Sequence, residues 1–181
     1  MKGFERKNRY FSLCGLNCAL CPMYVGGYCP SCGGGAGNQS CRIAKCSIEQ
    51  GGIEFCFECK KYPCEHYGEE DVVDSFITYR NRRADAERAK KDIRSYIREQ
   101  EEKEKILLWL LSECNDGRRK TLFCTAVNLL SLHQLEKVMN VLQEDKTELL
   151  KEKASLAATL LQEEAKKQGI SLSLRKNTER R

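Results

Sequence analysis

Residues 14–66 read CGLNCALCPMYVGGYCPSCGGGAGNQSCRIAKCSIEQGGIEFCFECKKYPCEH, and ten of the chain's 12 cysteines lie within them. The spacings are Cys14-x3-Cys18-x2-Cys21, Cys29-x2-Cys32, Cys41-x4-Cys46, Cys56-x2-Cys59 and Cys64-x-His66. A two-residue gap lets a tight turn aim two sulfurs at one ion about 2.3 Å from each. Crowded thiolates repel one another unless a cation sits among them, so metal binding is coupled to deprotonation and folding. Buried free thiols would have no reason to pair at two-residue gaps among so many glycines. The candidate metal ligands are therefore Cys14, Cys18, Cys21, Cys29, Cys32, Cys41, Cys46, Cys56, Cys59, Cys64 and His66, with His66 either a ligand or a solvated loop residue. Four thiolates, or three and an imidazole, suit zinc, and four thiolates also suit an iron–sulfur cluster. These ligands fill two four-ligand sites with three left over, or crowd around three sites by sharing. The expectation is two or three zinc ions, with an iron–sulfur cluster as the alternative.

This segment has little else to fold on. Gly26-Gly27, Gly33-Gly34-Gly35, Gly37 and Gly51-Gly52 are turn positions, and Pro22, Pro30 and Pro63 are the only prolines of the chain. So small and glycine-rich a unit needs metal or disulfides in place of a core. The N-terminus is basic but lacks the roughly 7 to 15 apolar residues of a secretory signal. A cytoplasmic, reducing setting is therefore expected, which argues against a disulfide framework. The longest apolar run, Ile106 to Leu111, is far too short to span a membrane. Net charge is +5, with 8 basic and 5 acidic residues in 1–66 and 23 and 21 in the remainder, too even a balance to suggest a nucleic-acid surface. The basic clusters Arg80-Asn81-Arg82-Arg83 and Arg118-Arg119-Lys120 read as solvated faces.

Working outward, composition shifts near residue 68, after which Leu, Glu, Lys and Ala recur at helical spacing and glycine remains only at Gly117 and Gly169. Three segments follow: a cysteine-rich metal-binding module at 1–68, a helical region at 69–168, and a short strand with a loose basic tail at 169–181. Tyr10, Phe11 and Leu13 suggest a short strand, and residues 40–50 a short helix ended by Gly51. Val72, Phe76 and Tyr79 open an apolar stripe that Ala86, Ala89, Ile93, Ile97 and Gln100 continue up to Cys114. Asn115-Asp116-Gly117 is a stop. A helix over 119–130 follows, then a capping box at Ser131 and Gln134 that starts the next helix. Asp145 with Glu148 repeats that signal before a last helix burying Leu150, Ala154, Ala157, Leu161 and Ala165. Ile170, Leu172 and Leu174 alternate as in a strand. The fold class is a small metal-stabilised, loop-rich cysteine module followed by an all-α region, with little β.

Outside the cluster, Cys114 and Cys124 read as buried thiols acting as small hydrophobes. Trp109 reads as a core anchor, and His133 as a surface or capping residue. Glu54, Glu58 and Glu65 read as solvated loop charges. No P-loop, dinucleotide fingerprint, His-Glu-x-x-His or nucleophile elbow is present. Cys14-x3-Cys18-x2-Cys21 has the spacing of the radical-SAM cluster motif, but the chain has no room for the barrel that surrounds that cofactor.

Cys14-Gly15-Leu16-x-Cys18-x-x-Cys21-Pro22, Cys29-x-x-Cys32, Cys41-x-Ile43-x-Lys45-Cys46, Cys56-x-x-Cys59 and Pro63-Cys64 together resemble the prokaryotic cysteine-rich family known as domain of unknown function 3795. The resemblance covers about residues 12–68 and extends loosely over 117–135. It implies that the ten cysteines belong to one zinc-binding pattern and carries no activity. The chain departs from the family pattern in two ways. Only seven residues separate Cys21 from Cys29, and Ser31 stands where a glycine is expected before Cys32. The expected function is a cytoplasmic zinc-binding protein with structural metal sites and no catalytic group. Its helical region would bind a protein partner or self-associate. Iron–sulfur electron transfer or metalloenzyme support, and a metal chaperone or store, are the alternatives.

Overall fold

The computed structural model describes residues 3–35, 41–67 and 73–176. Seven α-helices account for its regular structure: α1 Pro22–Val25, α2 Arg42–Glu49, α3 Arg82–Lys91, α4 Ile93–Glu113, α5 Lys120–Leu129, α6 Leu132–Glu144 and α7 Leu150–Lys167. Three 3-10 turns, Cys18–Leu20, Cys56–Glu58 and Glu65–Tyr67, punctuate the cysteine-rich part. Among the described residues the β pairing is one isolated antiparallel bridge, Phe11 with Asn17, in place of the strand expected at Tyr10–Leu13.

Helix ends follow local chemistry. The Ser131 hydroxyl accepts from the Gln134 amide at 3.3 Å while the Gln134 side chain returns to the Ser131 amide at 2.9 Å, the expected capping box. Gly51, Gly117 and Gly169 follow α2, α4 and α7 with φ of 86°, 86° and 65°, a conformation that costs glycine nothing. Asp92 breaks the stripe that the sequence reads as continuous: its carboxylate accepts from the Ser95 amide at 3.0 Å and starts α4 afresh after α3. Asp145 does not open a helix with Glu148. It binds the Thr147 amide and hydroxyl at 3.2 and 3.1 Å, and α7 begins at Leu150, which stays 48% exposed.

The stripe opening at Val72, Phe76 and Tyr79 forms no helix. Val72 lies outside the described residues, and 73–81 is a loop with Phe76 exposed. Asp74 organises this loop, accepting from the Tyr79 amide at 2.8 Å. It also accepts from the Arg175 amide at 2.8 Å and guanidinium at 2.8 Å, while its own amide reaches the Arg175 carbonyl at 2.9 Å. Arg80 donates to the carbonyls of Ser171 and Ser173, the latter at 2.7 Å. These bonds hold 170–176 as an extended tail without strand pairing, which corrects the strand expected at Ile170–Leu174. The loose basic tail expected at the C-terminus runs on into 177–181, which lie outside the described residues.

α4 is the hub, in contact with α3, α5, α6, α7 and the Cys18–Leu20 turn. Its buried face runs Tyr96, Gln100, Lys103, Leu107, Leu110 and ends at Cys114, while Ile93 and Ile97 are half-buried at its margin. α5 carries no charge after Lys120 and is buried from Phe123 to Leu129, as suits a helix enclosed on all sides. Cys114 and Cys124 sit in this core as expected, and Leu20 from the cysteine-rich part completes it. Trp109 packs against the core under the Lys153 ammonium, 5.3 Å from the ring centre. Phe11 and Phe55 form a second cluster with Ala86, Ala89 and Tyr96. A buried polar link fixes the same junction: Asn17 donates to Asp85 at 3.0 Å and accepts from the Tyr96 hydroxyl at 2.8 Å. The cysteine-rich part thus covers helical surface that its size and polarity would suggest it leaves open.

Candidate metal centre

Short turns place each thiol. Leu16 and Ser12 exchange backbone and hydroxyl bonds of 2.7 Å, and this turn presents Cys14, whose sulfur lies 3.3 Å from the Ser12 hydroxyl. The Cys18–Leu20 turn closes when the Cys21 amide donates to the Cys18 carbonyl at 3.0 Å. The Cys56 amide donates to the Leu13 carbonyl at 3.0 Å, which carries the Cys56-x-x-Cys59 turn back beside Cys14. Cys46 rides on α2 facing the loop of Cys59, Cys64 and His66.

Two groups emerge. Cys14, Cys18 and Cys32 lie near enough that their charges would oppose one another, and Cys56 adjoins them. Burial raises the Cys18 thiol, with Cys32, Cys14 and Cys21 adding to the rise. Burial likewise pushes Cys56 up to about 12, with Cys14 and Cys64 contributing. The second group is Cys46, Cys59, Cys64 and His66, which with Cys56 line a cavity of about 20 Å³, room for a single water or ion. Burial raises Cys46, and Cys64 and Cys59 oppose its charge further. Cys56 stands between the two groups.

Cys21 neighbours Cys29, Cys124 of α5 and Cys18. Burial raises Cys21, opposed by the Met23 and Tyr24 amides at the start of α1 and by the Lys120 ammonium, while Cys29 adds to the rise. Burial pushes Cys124 up to about 12, and the Cys21 thiol adds to it. Cys41 is exposed at the start of α2 and enters none of these groups. As the side chains stand, no three His, Cys, Asp or Glu among the described residues are gathered tightly enough to hold a metal ion. The donor set is nevertheless all sulfur and imidazole, the chemistry that suits zinc.

Arg6 carries no signal in the sequence, yet it holds the first group together. Its side chain is 1% exposed. It donates to the carbonyls of Glu54 at 2.9 Å, Phe11 at 3.0 Å, Cys32 at 3.4 Å and Asn8 at 3.5 Å. Burial raises the Cys32 thiol, and the Arg6 charge is the first influence working against that rise. Two expected loop charges also have structural tasks. Glu54 accepts from the Asn8 amide at 2.8 Å, and Glu58 accepts from the Glu54 and Phe55 amides at 2.9 and 3.0 Å. Glu65 is exposed, and so is His133.

Ser31, at the position where the family pattern has glycine, adopts φ 76° while 2% exposed. Gly34 behind it cannot carry a Cβ, which would collide with the Pro30 carbonyl.

Residues 26–69 match the model of a family described as Protein of unknown function (DUF3795).

The match takes in Cys29, Cys32, Cys41, Cys46, Cys56, Cys59, Cys64 and His66, and begins after Cys14, Cys18 and Cys21. No curated protein and no solved structure gives a significant match. The second thiol group thus lies wholly inside the DUF3795 match, whereas the first joins Cys32 and Cys56 from within it to Cys14 and Cys18 from before it. No helix is long and apolar enough to cross a membrane among the described residues.

Proposed function

We propose that the cysteine-rich segment binds zinc at two closed sites, one drawn from Cys14, Cys18, Cys32 and Cys56 and the other from Cys46, Cys59, Cys64 and His66, and that the metal is structural. The observation that supports this reading is that Cys46, Cys59, Cys64 and His66 line one small cavity together with Cys56, which also neighbours Cys14 and Cys32. Burial and neighbouring thiols raise Cys18, Cys32, Cys46 and Cys56, and zinc would displace those protons to solvent. Closed four-ligand sites leave no open coordination position, which suits a role in folding rather than catalysis. A cytoplasmic setting, where thiols stay reduced, accords with this reading. The helices would then present the surface that meets a partner or a second copy. Leu108, Val141, Leu149 and Leu150, 51%, 47%, 63% and 48% exposed, are its apolar members. Metal analysis of the full chain purified anaerobically tests the proposal. At least two zinc ions per chain and a colourless preparation are expected. A brown preparation containing iron and sulfide would favour the cluster alternative, and a folded chain free of metal would end the reading.

A further inference from the structure

We propose that the open cleft between α3, α4 and the α5–α6 junction binds a small dipolar molecule, an α-amino acid, with its carboxylate at Lys103 and its ammonium at Glu99. The site stands apart from the thiol groups and does not rest on the zinc reading.

The cleft holds about 790 Å³, within the roughly 300 to 1,000 Å³ of small-molecule sites. α3 contributes Asp85 and Arg88, one turn apart, and α4 contributes Glu99 and Lys103, likewise one turn apart. The α5–α6 junction closes the third side with Leu130, Ser131 and Leu132. Two of the charged residues are buried, Lys103 at 4% exposure and Asp85 at 6%. Asp85 is fixed from behind, where the Asn17 amide group donates to it at 3.0 Å. Arg88 pairs with Glu99, and with Asp85 at 3.7 Å. Lys103 donates to the Leu130 carbonyl at 2.8 Å, whereas the Glu99 carboxylate lies 3.6 Å away, beyond hydrogen-bond reach. Among the described residues the ammonium thus keeps N–H groups for the cleft. Burial lowers the Lys103 amine, with Glu99 and Asp85 opposing. A further negative charge in the cleft would stabilise its charged form.

The charge pattern decides the ligand. Beside Lys103 lies the start of α6, whose first amides have no acceptor within the helix. Ser131 and Leu132 bring that end to the cleft, and it favours a carboxylate as the buried ammonium does. A simple anion fits poorly, because Asp85, Glu99, Glu101 and Glu102 outnumber Arg88, Arg98 and Lys103 around the cleft. A simple cation fits poorly too, since Lys103 repels it and Arg88 already pairs with Glu99. An α-amino acid carries both charges on one carbon. Its carboxylate can meet Lys103 while its ammonium meets Glu99, the two protein groups being 3.6 Å apart. The volume that remains takes the ligand's side chain. No bond is made or broken.

The test adds the L-amino acids one at a time to the full chain and follows binding by calorimetry, with acetate and methylamine as the separate halves of the ligand. At least one amino acid is expected to bind, and neither half. Lys103→Met should weaken that binding about tenfold or more, as loss of a charged hydrogen bond implies. Lys103 also holds the Leu130 carbonyl, so Glu99→Gln, which keeps the shape of the side chain, probes the other pole independently and should weaken binding similarly. Glu163→Gln, on the exposed face of α7, should leave it unchanged. Absence of binding by every amino acid up to about 10 mM overturns the proposal. So does binding that neither cleft variant weakens, or acetate bound as tightly as the amino acid.

Discussion

The enclosed guanidinium of Arg6 is answered by four backbone carbonyls from three separate parts of the chain. Removing it leaves those acceptors inside the fold without a donor, a loss larger than the bonds themselves contribute. Arg6→Ala is expected to destabilise the metal-loaded chain by about 3 kcal/mol in urea unfolding, and Arg6→Lys to recover little, because an ammonium cannot fork to several acceptors. A change within about 0.5 kcal/mol, ordinary for a surface site, would contradict this account. Ser31 offers the opposite case. Its φ of 76° burdens an L-residue by roughly 1–2 kcal/mol and burdens glycine far less. Ser31→Gly should therefore raise stability by about 1 kcal/mol, measured in the same unfolding experiment. Destabilisation by that amount would mean that the hydroxyl outweighs the strain.

At the scale of elements, Asp74 is the clasp between the loop before α3 and the segment after α7. Its side chain is 0% exposed. Burial works against its charge, but the Arg175 guanidinium and amide and the Tyr79 amide prevail and hold the carboxyl below its ordinary value of 3.8. A carboxyl depressed on folding stabilises the fold above its unfolded pKa, and that stabilisation is lost as pH falls through the folded value. Acidification below about pH 3.8 should therefore free residues 170–176, and Asp74→Asn should do so at neutral pH. Limited proteolysis gives the readout: Asp74→Asn should be cut sooner within 170–176 while α4 to α6 stay intact. Equal cleavage of variant and wild type would show that Ile170 and Leu172, packed on the core, hold the tail unaided.

For the whole molecule, the cysteine-rich part is attached to the helices by two different means. Residues 17–20 are locked to α3, α4 and α5 through Asn17, Asp85, Tyr96, Asn128 and the buried Leu20. Residues 43–66 lean on a smaller apolar cluster of Phe4, Leu13, Ile43 and Ala44 that packs against Cys14, Cys32 and Cys56, and they reach the helices through Phe55 beside Ala86, Ala89 and Tyr96. If metal replaces a core there, stripping it with a strong chelator should abolish hydrogen-exchange protection over 43–66. Amides at 17–20 and in α4 to α6 should keep most of theirs. Equal loss at 17–20 and 43–66 would show that the module unfolds as one piece, and unchanged protection throughout would show that no metal supports it.

The sequence alone determined what depends on neighbours a few residues apart. The Ser131–Gln134 box and the glycines after α2, α4 and α7 are such local chemistry, and each was legible. Tertiary structure decided what depends on distant partners. The periodicity through Val72, Phe76 and Tyr79 gave way to Asp74, whose principal partner Arg175 lies 101 residues away. The stripe on α4 turned toward Tyr96 and Lys103 because the buried Asn17–Asp85 pair receives the Tyr96 hydroxyl and the Leu130 carbonyl accepts from Lys103 at 2.8 Å. Spacing could pair cysteines within a turn but could not say which turns meet. That follows from bonds such as Cys56 to Leu13 and from Arg6 to Glu54, and from an α5 helix that carries Cys124 to the loop of Cys21. Chain closure over such separations is set by the packing of the whole molecule, which no local pattern encodes.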